Sequence, residues 1–256
     1  THKLADIGDL IRLSRPYGTL LLLFPALWSL FIAAGGHPPW ALIALFAAGA
    51  FLMRSAGCAI NDVADHRFDR NVRRTCQRPI ASGRLTRPEG IAVFILLSAV
   101  AGTLALLLPP LAIYLAVAGF LLAILYPFTK RFFFLPQLIL GITFGWGTLL
   151  GWATIQNEIT LPGLLIFGAT VFWATAYDTI YAIMDQEDDS AVGVKSSALF
   201  FGTSTWMAVG AFYTLGLLCL AFLIGFTELG AFFGVSLTIV AAWFGYHVWR
   251  LKIGIS

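Results

Sequence analysis

Residues 40–75 read WALIALFAAGAFLMRSAGCAINDVADHRFDRNVRRT, and this stretch decides the fold because it joins two very different environments. Residues 40–53 carry no charge, whereas three aspartates, two asparagines and five arginines follow within residues 54–75. Residues 40–60 have the length of about 20 residues that a helix needs to cross a hydrocarbon core of roughly 30 Å. Either a membrane helix merely reaches water here, or something negatively charged is bound at its end.

The composition of the whole chain favours a membrane protein. Its 256 residues are 59% hydrophobic and only 11% charged, with a mean hydropathy of +0.86, and this excludes an ordinary soluble domain. Apolar runs of membrane-spanning length recur along the chain, and we predict eight helices at residues 17–36, 40–60, 90–108, 110–128, 133–155, 161–184, 205–226 and 229–250. The sequence therefore predicts an all-α, polytopic transmembrane helical bundle that forms one domain over residues 1–256.

The basic residues indicate an orientation. All of the 16 lysines and arginines except Arg54 lie before the first run, in alternate connections or after residue 249. The other connections, at residues 37–39, 109–110, 156–160 and 227–228, contain no lysine or arginine. The positive-inside rule then predicts that the basic connections and both termini face the cytoplasm. No cleavable signal peptide is expected, and Cys58, Cys76 and Cys219 indicate neither a disulfide framework nor a zinc site.

Most of the chain's 13 acidic residues lie in two short segments. We name residues 61–69 the first acidic segment and residues 178–189 the second acidic segment. Each occurs where the second helix of a four-helix set ends, which predicts two four-helix pseudo-repeats around a central cavity. Asn61, Asp65 and Asp69 recur every four residues and so share one helix face. Asp178, Asp185 and Asp189 have spacings of seven and four residues, and they too share one face.

Carboxylates crowded in this manner repel one another unless a cation lies between them. Mg²⁺ suits such oxygen ligands, because it takes one or two carboxylates and completes its shell with water and substrate phosphates. Basic residues able to meet outer phosphate oxygens lie nearby, namely Arg67, Arg70, Arg73, Arg74, Arg78 and Lys195. Any one of these charges could belong to the solvated rim of a membrane protein, but two matched acidic faces favour a functional site.

The two acidic segments resemble the UbiA superfamily of membrane prenyltransferases, whose aspartate-rich motifs are NDxxDxxxD and DxxxD. Residues 61–69 (NDVADHRFD) and 185–189 (DQEDD) match these motifs in full. Residues 21–30 (LLLFPALWSL), 126–137 (YPFTKRFFFLPQ) and 177–202 resemble the branch that prenylates 4-hydroxybenzoate. The resemblance covers essentially the whole chain. That family usually has nine transmembrane helices, so a ninth is expected to be either absent from this member or missing from this sequence.

The resemblance implies transfer of a polyprenyl group from polyprenyl diphosphate to the ring carbon ortho to the hydroxyl of 4-hydroxybenzoate, with release of diphosphate, in ubiquinone biosynthesis. It implies Mg²⁺ as the cofactor and a bacterial or mitochondrial inner membrane as the location, with the acidic motifs on the cytoplasmic or matrix side. Neither a nucleic acid nor an obligatory protein partner is expected. Other aromatic acceptors, homogentisate or a naphthoate, stay open, as does a divalent-cation transporter, because acids near helix breaks also mark ion pathways.

The resemblance also implies residue roles. The expected Mg²⁺ ligands are Asn61, Asp65, Asp69, Asp185 and Asp189. The catalytic candidates, as outer ligands or orienting groups, are Asp62 and Asp178. The expected diphosphate contacts are Arg67, Arg78, Lys130, Lys195 and Tyr126. The acceptor carboxylate needs a cation remote from the metal, and the candidates are Arg54, Arg131 and Arg15.

Some residues fit two interpretations. Arg54 lies within a span, where it either binds the acceptor or pairs with Asp62 or Asp178. The glycines of residues 133–155, such as Gly141 and Gly151, either leave room for a prenyl chain or allow close helix packing.

Overall fold

The computed structural model describes residues 2–186, 190–191 and 193–255. Within these ranges the regular structure is helical throughout, which confirms the predicted all-α class. The α-helices in chain order are α1 (His2–Leu10), α2 (Tyr17–Ala33), α3 (Trp40–Asp69), α4 (Arg87–Ala105), α5 (Pro110–Thr129), α6 (Pro136–Gln156), α7 (Leu161–Met184), α8 (Ser197–Phe201), α9 (Thr205–Leu223) and α10 (Ala231–Ile255). Short 3-10 turns at Gly202–Ser204 and Ile224–Phe226 adjoin α9.

Seven described segments are long and apolar enough to cross a membrane: helices α3 to α7, the stretch Ser197–Phe226, and Ala231–Gly254 of α10. Helix α2 is also apolar but shorter, with 17 residues. The membrane-spanning bundle is thus confirmed, and each predicted run is helical. The count of eight helices was a slight miscount, because α1 and α8 form as well although neither is a long apolar run.

Helix α3 continues past the predicted end at residue 60 to Asp69, a length of 30 residues. At 1.5 Å per residue it is about 45 Å long, which exceeds a hydrocarbon core of roughly 30 Å by several turns. The first acidic segment is therefore a helical extension of a membrane helix. Because the chain passes back and forth, the ends of α3, α5 and α7 lie on one side of the bundle, which we call the polar end.

Helix α6 lies at the centre and packs against α2, α5 and α7. Its glycines allow this close approach. A Cβ atom on Gly141 would lie 2.5 Å from the Val171 carbonyl oxygen of α7, and one on Gly151 would lie 2.7 Å from the Ala26 carbonyl oxygen of α2. Of the two interpretations left open by the sequence, these positions support close helix packing.

Helix α1 is attached to the polar end by ion pairs. Arg84 of the α3–α4 connection pairs with Asp6 and Asp9, and Lys3 pairs with Glu89 at 2.6 Å. The hydrogen bond to Asp9, reinforced by Asp6, raises the pKa of Arg84 above its ordinary value. These contacts hold the segment that follows α1 close to the start of the first acidic segment.

Candidate active site

A cavity of about 900 Å³ opens at the polar end and extends through the bundle between α2 and α7. Both acidic segments line it: Asn61, Asp62, Asp65 and Asp69 from α3, and Asp178 and Asp185 from the second. Asp189 lies outside the described residues. The two segments, which are far apart in sequence, therefore meet at one space.

The first acidic segment presents its carboxylates inward. Asp62, Asp65 and Asp69 are 1%, 4% and 7% exposed, so a helical extension that leaves the apolar core still buries three acids. The Oδ1 atom of Asn61 is buried and has no hydrogen-bond partner. A buried polar atom without a partner is costly, and this oxygen is available to a ligand in the cavity.

Basic side chains compensate the buried acids. Arg12 donates to both carboxylate oxygens of Asp62, at 2.9 and 3.1 Å. Arg78 pairs with Asp69 at 2.9 Å and with Asp62 at 3.3 Å. These pairs offset part of the cost of burying the carboxylates, since a buried charge needs a partner.

Arg12 is a residue that the sequence analysis missed. It follows α1 with a positive φ of 58°, and its Nη1 atom donates to the Asp9 carbonyl oxygen at 2.8 Å. The backbone turn thereby directs its guanidinium toward Asp62 rather than toward water. A basic residue before the first span gives no local signal of this contact.

The second acidic segment is held differently. Helix α7 ends at Met184, and Asp185 just beyond it pairs with Arg74 of the α3–α4 connection. The Asp185 side chain is 21% exposed and that of Arg74 is 57% exposed. Asp178, farther up α7, is half-buried on the cavity wall.

Most predicted diphosphate contacts lie at the same opening. Tyr126, Lys130, Arg78 and Lys195 line the cavity. Lys130 pairs with Asp65 at 2.5 Å and so connects the end of α5 to the first acidic segment. Lys195 donates from Nζ to the Phe132 carbonyl oxygen at 3.0 Å, and its backbone N–H donates to the Lys130 carbonyl oxygen at 3.1 Å.

A buried polar network positions the segment that carries Lys195. The backbone N–H of Ser197 donates to Oε1 of Gln137 at 2.9 Å, and the Ser197 hydroxyl donates to the Thr179 hydroxyl at 2.9 Å. These bonds fix the start of α8 to α6 and α7. The lysine two residues earlier is consequently held beside α5.

Of the three arginines predicted to bind the acceptor carboxylate, two line the cavity and one does not. Arg54 lines the cavity from within the span of α3, and its guanidinium lies against Gly18 of α2. A Cβ atom on Gly18 would lie 2.6 Å from Nε of Arg54, so the absent side chain provides the room. Arg131 also lines the cavity, but it donates to the Ala64 carbonyl oxygen at 3.0 Å. Arg15 is exposed and lies off the cavity.

Arg67 does not face the cavity. It is exposed and borders a separate crevice, together with His66 and Arg131. Arg67 follows Asp65 by two residues, and two residues of a helix turn the side chain by about 200°, toward the opposite face. Arg67, which was predicted to contact the diphosphate, therefore does not lie with the other predicted contacts.

Apart from Arg54 and a few other polar side chains, the cavity away from the polar end is apolar. Its walls include small and aliphatic residues together with aromatic rings, such as Gly49, Ala101, Leu108, Phe144 and Trp173. The Trp146 indole donates to the Leu115 carbonyl oxygen at 2.7 Å, which satisfies its polar atom without drawing water inward. An amphiphilic molecule with an anionic head and an apolar tail matches this combination.

The donor set fits Mg²⁺ that is shared with a substrate. Among the described residues, no three His, Cys, Asp or Glu side chains are grouped closely enough to hold a metal by themselves. Mg²⁺ does not require such a group, because it keeps waters and takes phosphate oxygens beside one or two carboxylates. The unpartnered Asn61 Oδ1 beside Asp62 and Asp65 supplies hard oxygen donors of this type.

The chain is a helical membrane bundle in which an opening lined by acids and arginines leads into a largely apolar cavity, as a membrane enzyme acting on an anionic lipid requires. Residues 22–254 match the model of the UbiA prenyltransferase family, and the chain belongs to that family. The resemblance found in the sequence and the prediction of a prenyltransferase are both confirmed.

Two curated relatives that share a name are similar to this chain over most of its length. The 4-hydroxybenzoate octaprenyltransferase of Ralstonia nicotianae is 44% identical over 250 residues, covering 98% of this chain and 86% of the relative. The protein of the same name from Cupriavidus necator is 46% identical over 246 residues, covering 96% and 86%.

Solved structures share the fold. A UbiA homolog from Aeropyrum pernix K1 has a TM-score of 0.79 and 27% identity, with 94% of each chain covered. A UbiA homolog from Archaeoglobus fulgidus, described as bound to GPP and Mg²⁺, has a TM-score of 0.76 at 15% identity, covering 96% of this chain and 86% of that one. At that identity, the second comparison is one of fold alone.

Proposed function

We propose that this chain transfers a polyprenyl group from polyprenyl diphosphate to the ring carbon ortho to the hydroxyl of 4-hydroxybenzoate, releasing diphosphate, as in ubiquinone biosynthesis. The observation that carries the proposal is the single cavity, lined by both acidic segments and Arg54 and otherwise largely apolar. The name shared by relatives at 44% and 46% identity supports the choice of acceptor.

The acids at the polar end would hold Mg²⁺. Asn61, Asp65 and Asp185 are the proposed ligands, with Asp189, outside the described residues, as a further one. Asp62 and Asp69, paired with Arg12 and Arg78, are assigned the role of orienting this set. Bound Mg²⁺ would offset the negative charge of the diphosphate as it leaves.

Cationic side chains at the same opening are the proposed contacts of the diphosphate. Arg78, Lys130 and Lys195 line the opening, and Tyr126 offers a hydroxyl. Lys130 is already paired with Asp65, and Arg78 with Asp69. Because these cations are already in place at the opening, a phosphate can bind to them without the burial of a further cation. Donors fixed in this manner act on the charge that develops as the carbon–oxygen bond breaks.

Arg54 is our choice to bind the acceptor carboxylate. It lies within the span and against Gly18, farther from the polar end than the acids, whereas the Arg131 guanidinium packs over Phe128 at 5.0 Å. The distance along α3 matters, because the acceptor ring must lie beside the prenyl carbon and not beside the phosphates. Arg67 and Arg15, which lie off the cavity, have no contact in this proposal.

Prenyl transfer breaks one bond of the donor and forms one bond to the acceptor. The carbon–oxygen bond of the donor breaks, its electron pair leaves with the diphosphate, and the allylic carbon becomes positive. The ring carbon ortho to the hydroxyl forms the new carbon–carbon bond and then loses its proton, for which Asp178 on the cavity wall is our candidate acceptor. The apolar walls keep water from capturing the allylic cation first.

Product analysis with purified protein tests the proposal. The protein in detergent is incubated with 4-hydroxybenzoate, prenyl diphosphates of several lengths, and either Mg²⁺ or EDTA. Prenylated 4-hydroxybenzoate is expected with Mg²⁺ and not with EDTA, and the activity should return when Mg²⁺ is added in excess. Product from homogentisate or a naphthoate but never from 4-hydroxybenzoate would reject the acceptor, and product that persists in EDTA would reject the metal.

A transporter of divalent cations is the second candidate. It would place acids along the membrane interior, whereas the acids of this cavity cluster at the polar end. Uptake of Mg²⁺ into vesicles that contain the protein, without any prenyl donor, would favour it over prenyl transfer.

The orientation in the membrane is also part of the proposal. The basic connections support a polar end on the cytoplasmic or matrix side. Cys76, in the α3–α4 connection, is half-buried, whereas Cys58 and Cys219 lie within membrane helices. A membrane-impermeant thiol reagent should therefore label Cys76 in inverted vesicles and leave right-side-out vesicles unlabelled.

A further inference from the structure

A second, smaller crevice of about 290 Å³ lies outside the cavity, where α3, α4 and α5 meet at the polar end. Its lining combines basic and apolar side chains, namely Arg67, Arg87, Arg131, His66, Ile60, Val63, Ala64 and Phe128. We call it the arginine crevice. Arg131 borders both spaces, while Arg67 and Arg87 border the crevice only.

The arginine crevice is basic. Among the described residues, no acidic residue lines it and none of its three arginines forms an ion pair. Arg131 is held in place by its bond to the Ala64 carbonyl oxygen and by the Phe128 ring. Guanidinium groups gathered without a carboxylate favour an anion with several oxygens, such as a phosphate.

The position of the crevice favours a lipid phosphate. Arg87 is the first residue of α4, and Arg131 follows the end of α5 by two residues, so both lie where membrane helices begin and end. On α4 the face below Arg87 carries Ile91 and Ile95, which are 39% and 59% exposed.

The neighbouring face of α5 continues the same pattern. Below Phe128 it carries Leu125 and Leu121, which are 51% and 59% exposed. Each of these residues is three or four positions from the next on its helix, so they form an apolar strip on that face. A free phosphate would make no use of such strips, whereas acyl chains would cover them.

We propose that the arginine crevice binds an anionic phospholipid, with the headgroup phosphate between Arg67, Arg87 and Arg131 and the acyl chains along α4 and α5. Basic pockets between membrane helices are a recognised setting for anionic headgroups. The site is distinct from the proposed prenyl-transfer chemistry, and either assignment can fail without the other.

Lipid binding to the intact protein tests the proposal. The protein in neutral detergent is titrated with phosphatidylglycerol or phosphatidylcholine, and bound lipid is counted by native mass spectrometry. We expect phosphatidylglycerol to bind and phosphatidylcholine to bind much more weakly. The double variant Arg67→Gln/Arg87→Gln should bind phosphatidylglycerol roughly 30-fold more weakly, as two arginines near an anionic headgroup are lost.

A matched variant controls for general surface charge. Arg73→Gln/Arg250→Gln removes the same charge from exposed positions outside the crevice and should leave phosphatidylglycerol binding unchanged. Equal weakening in both double variants would overturn the proposal, as would equal binding of the two lipids by the unmodified protein. If the crevice variant fails to fold, Arg87→Gln alone is used, with an expected weakening of about fivefold.

Inorganic phosphate distinguishes the two sources of the anion. At the same concentration as the lipid, it should not displace phosphatidylglycerol, because it cannot cover the apolar strips. Displacement at that concentration would show a site for free phosphate and would overturn the assignment to a lipid.

Discussion

The two acidic segments line one cavity, but they are held there by different means. The first is a helical extension of α3 whose Asp62, Asp65 and Asp69 are almost fully buried and paired with bases. The second begins on α7 and continues past the helix end, where the pair between Asp185 and Arg74 is partly exposed to solvent. The difference suggests that both segments serve the bound substrate, whereas the first also contributes to the stability of the protein.

The largest expected effect comes from removing one acid of each segment. Asp65→Asn and Asp185→Asn, made separately, should each lower kcat for prenyl transfer roughly 100- to 1,000-fold, because each removes a charged ligand proposed to hold the Mg²⁺ that offsets the charge of the leaving diphosphate. The measurement is product formation at saturating concentrations of both substrates. Similar losses would mean that the segments act as one site despite their different burial.

Glu158→Gln is the matched control, since Glu158 is an exposed acid in the α6–α7 connection at the other side of the bundle. It should retain full activity. If Asp185→Asn also retained activity, the second acidic segment would not belong to the site, and the first acidic segment alone would be functional.

A smaller effect is expected at the proposed binding site of the acceptor carboxylate, where Gly18 of α2 contacts Arg54 of α3. Gly18→Ala should displace the Arg54 guanidinium, because the new Cβ atom would lie 2.6 Å from Nε. We expect the KM for 4-hydroxybenzoate to rise about tenfold, equivalent to about 1.4 kcal/mol, and the KM for prenyl diphosphate to stay unchanged. Steady-state kinetics with each substrate varied in turn measures the split.

The control for this variant is Gly245→Ala in α10, where an added Cβ atom meets nothing within 4 Å. Its two KM values should match those of the unmodified protein. A parallel rise in both KM values for Gly18→Ala would contradict a role confined to the acceptor and would link Arg54 to the acidic segments.

The contrast between the segments also shows what the sequence could predict. The four-residue spacing of Asn61, Asp65 and Asp69 matches the helix period, so a shared face was predictable from spacing alone. That spacing assumes a helix through Asp69, whereas the apolar run that predicted the membrane span ends near residue 60. The tertiary ion pairs that stabilise the helix beyond residue 60 could not be predicted from the spacing.

Contacts between segments that are distant in sequence could not be predicted from local sequence patterns. The bond from Arg12 to Asp62 joins residues 50 positions apart, and the fit of Arg54 against Gly18 depends on how α2 packs on α3. The outward position of Arg67 is a different case, since the helix period already opposes it to Asp65. The resemblance of motifs predicted candidate site residues, and the structure shows which of them line one cavity.

An intermediate effect on stability is expected for the first segment. Arg12→Gln removes one of two partners of Asp62, which is 1% exposed. Breaking a buried pair costs about 3–5 kcal/mol, and because Arg78 remains we expect a loss of roughly 2 kcal/mol in the free energy of unfolding, measured by denaturation in detergent. Restoration of most of the loss by Arg12→Lys would identify charge as the cause, and an unchanged stability would contradict a structural role for this pair.

The smallest effect is expected for the pair of the second segment. Arg74→Gln removes the partner of Asp185, but the Arg74 side chain is 57% exposed, so water already screens the interaction. Exposed pairs contribute up to about 1 kcal/mol and often nothing measurable, and the free energy of unfolding should therefore change by less than half of the change in Arg12→Gln. Both variants are measured in the same detergent at low salt, where surface pairs are strongest. A loss in Arg74→Gln as large as that in Arg12→Gln would mean that the two acidic segments are equally anchored, and the contrast drawn from their burial would be wrong.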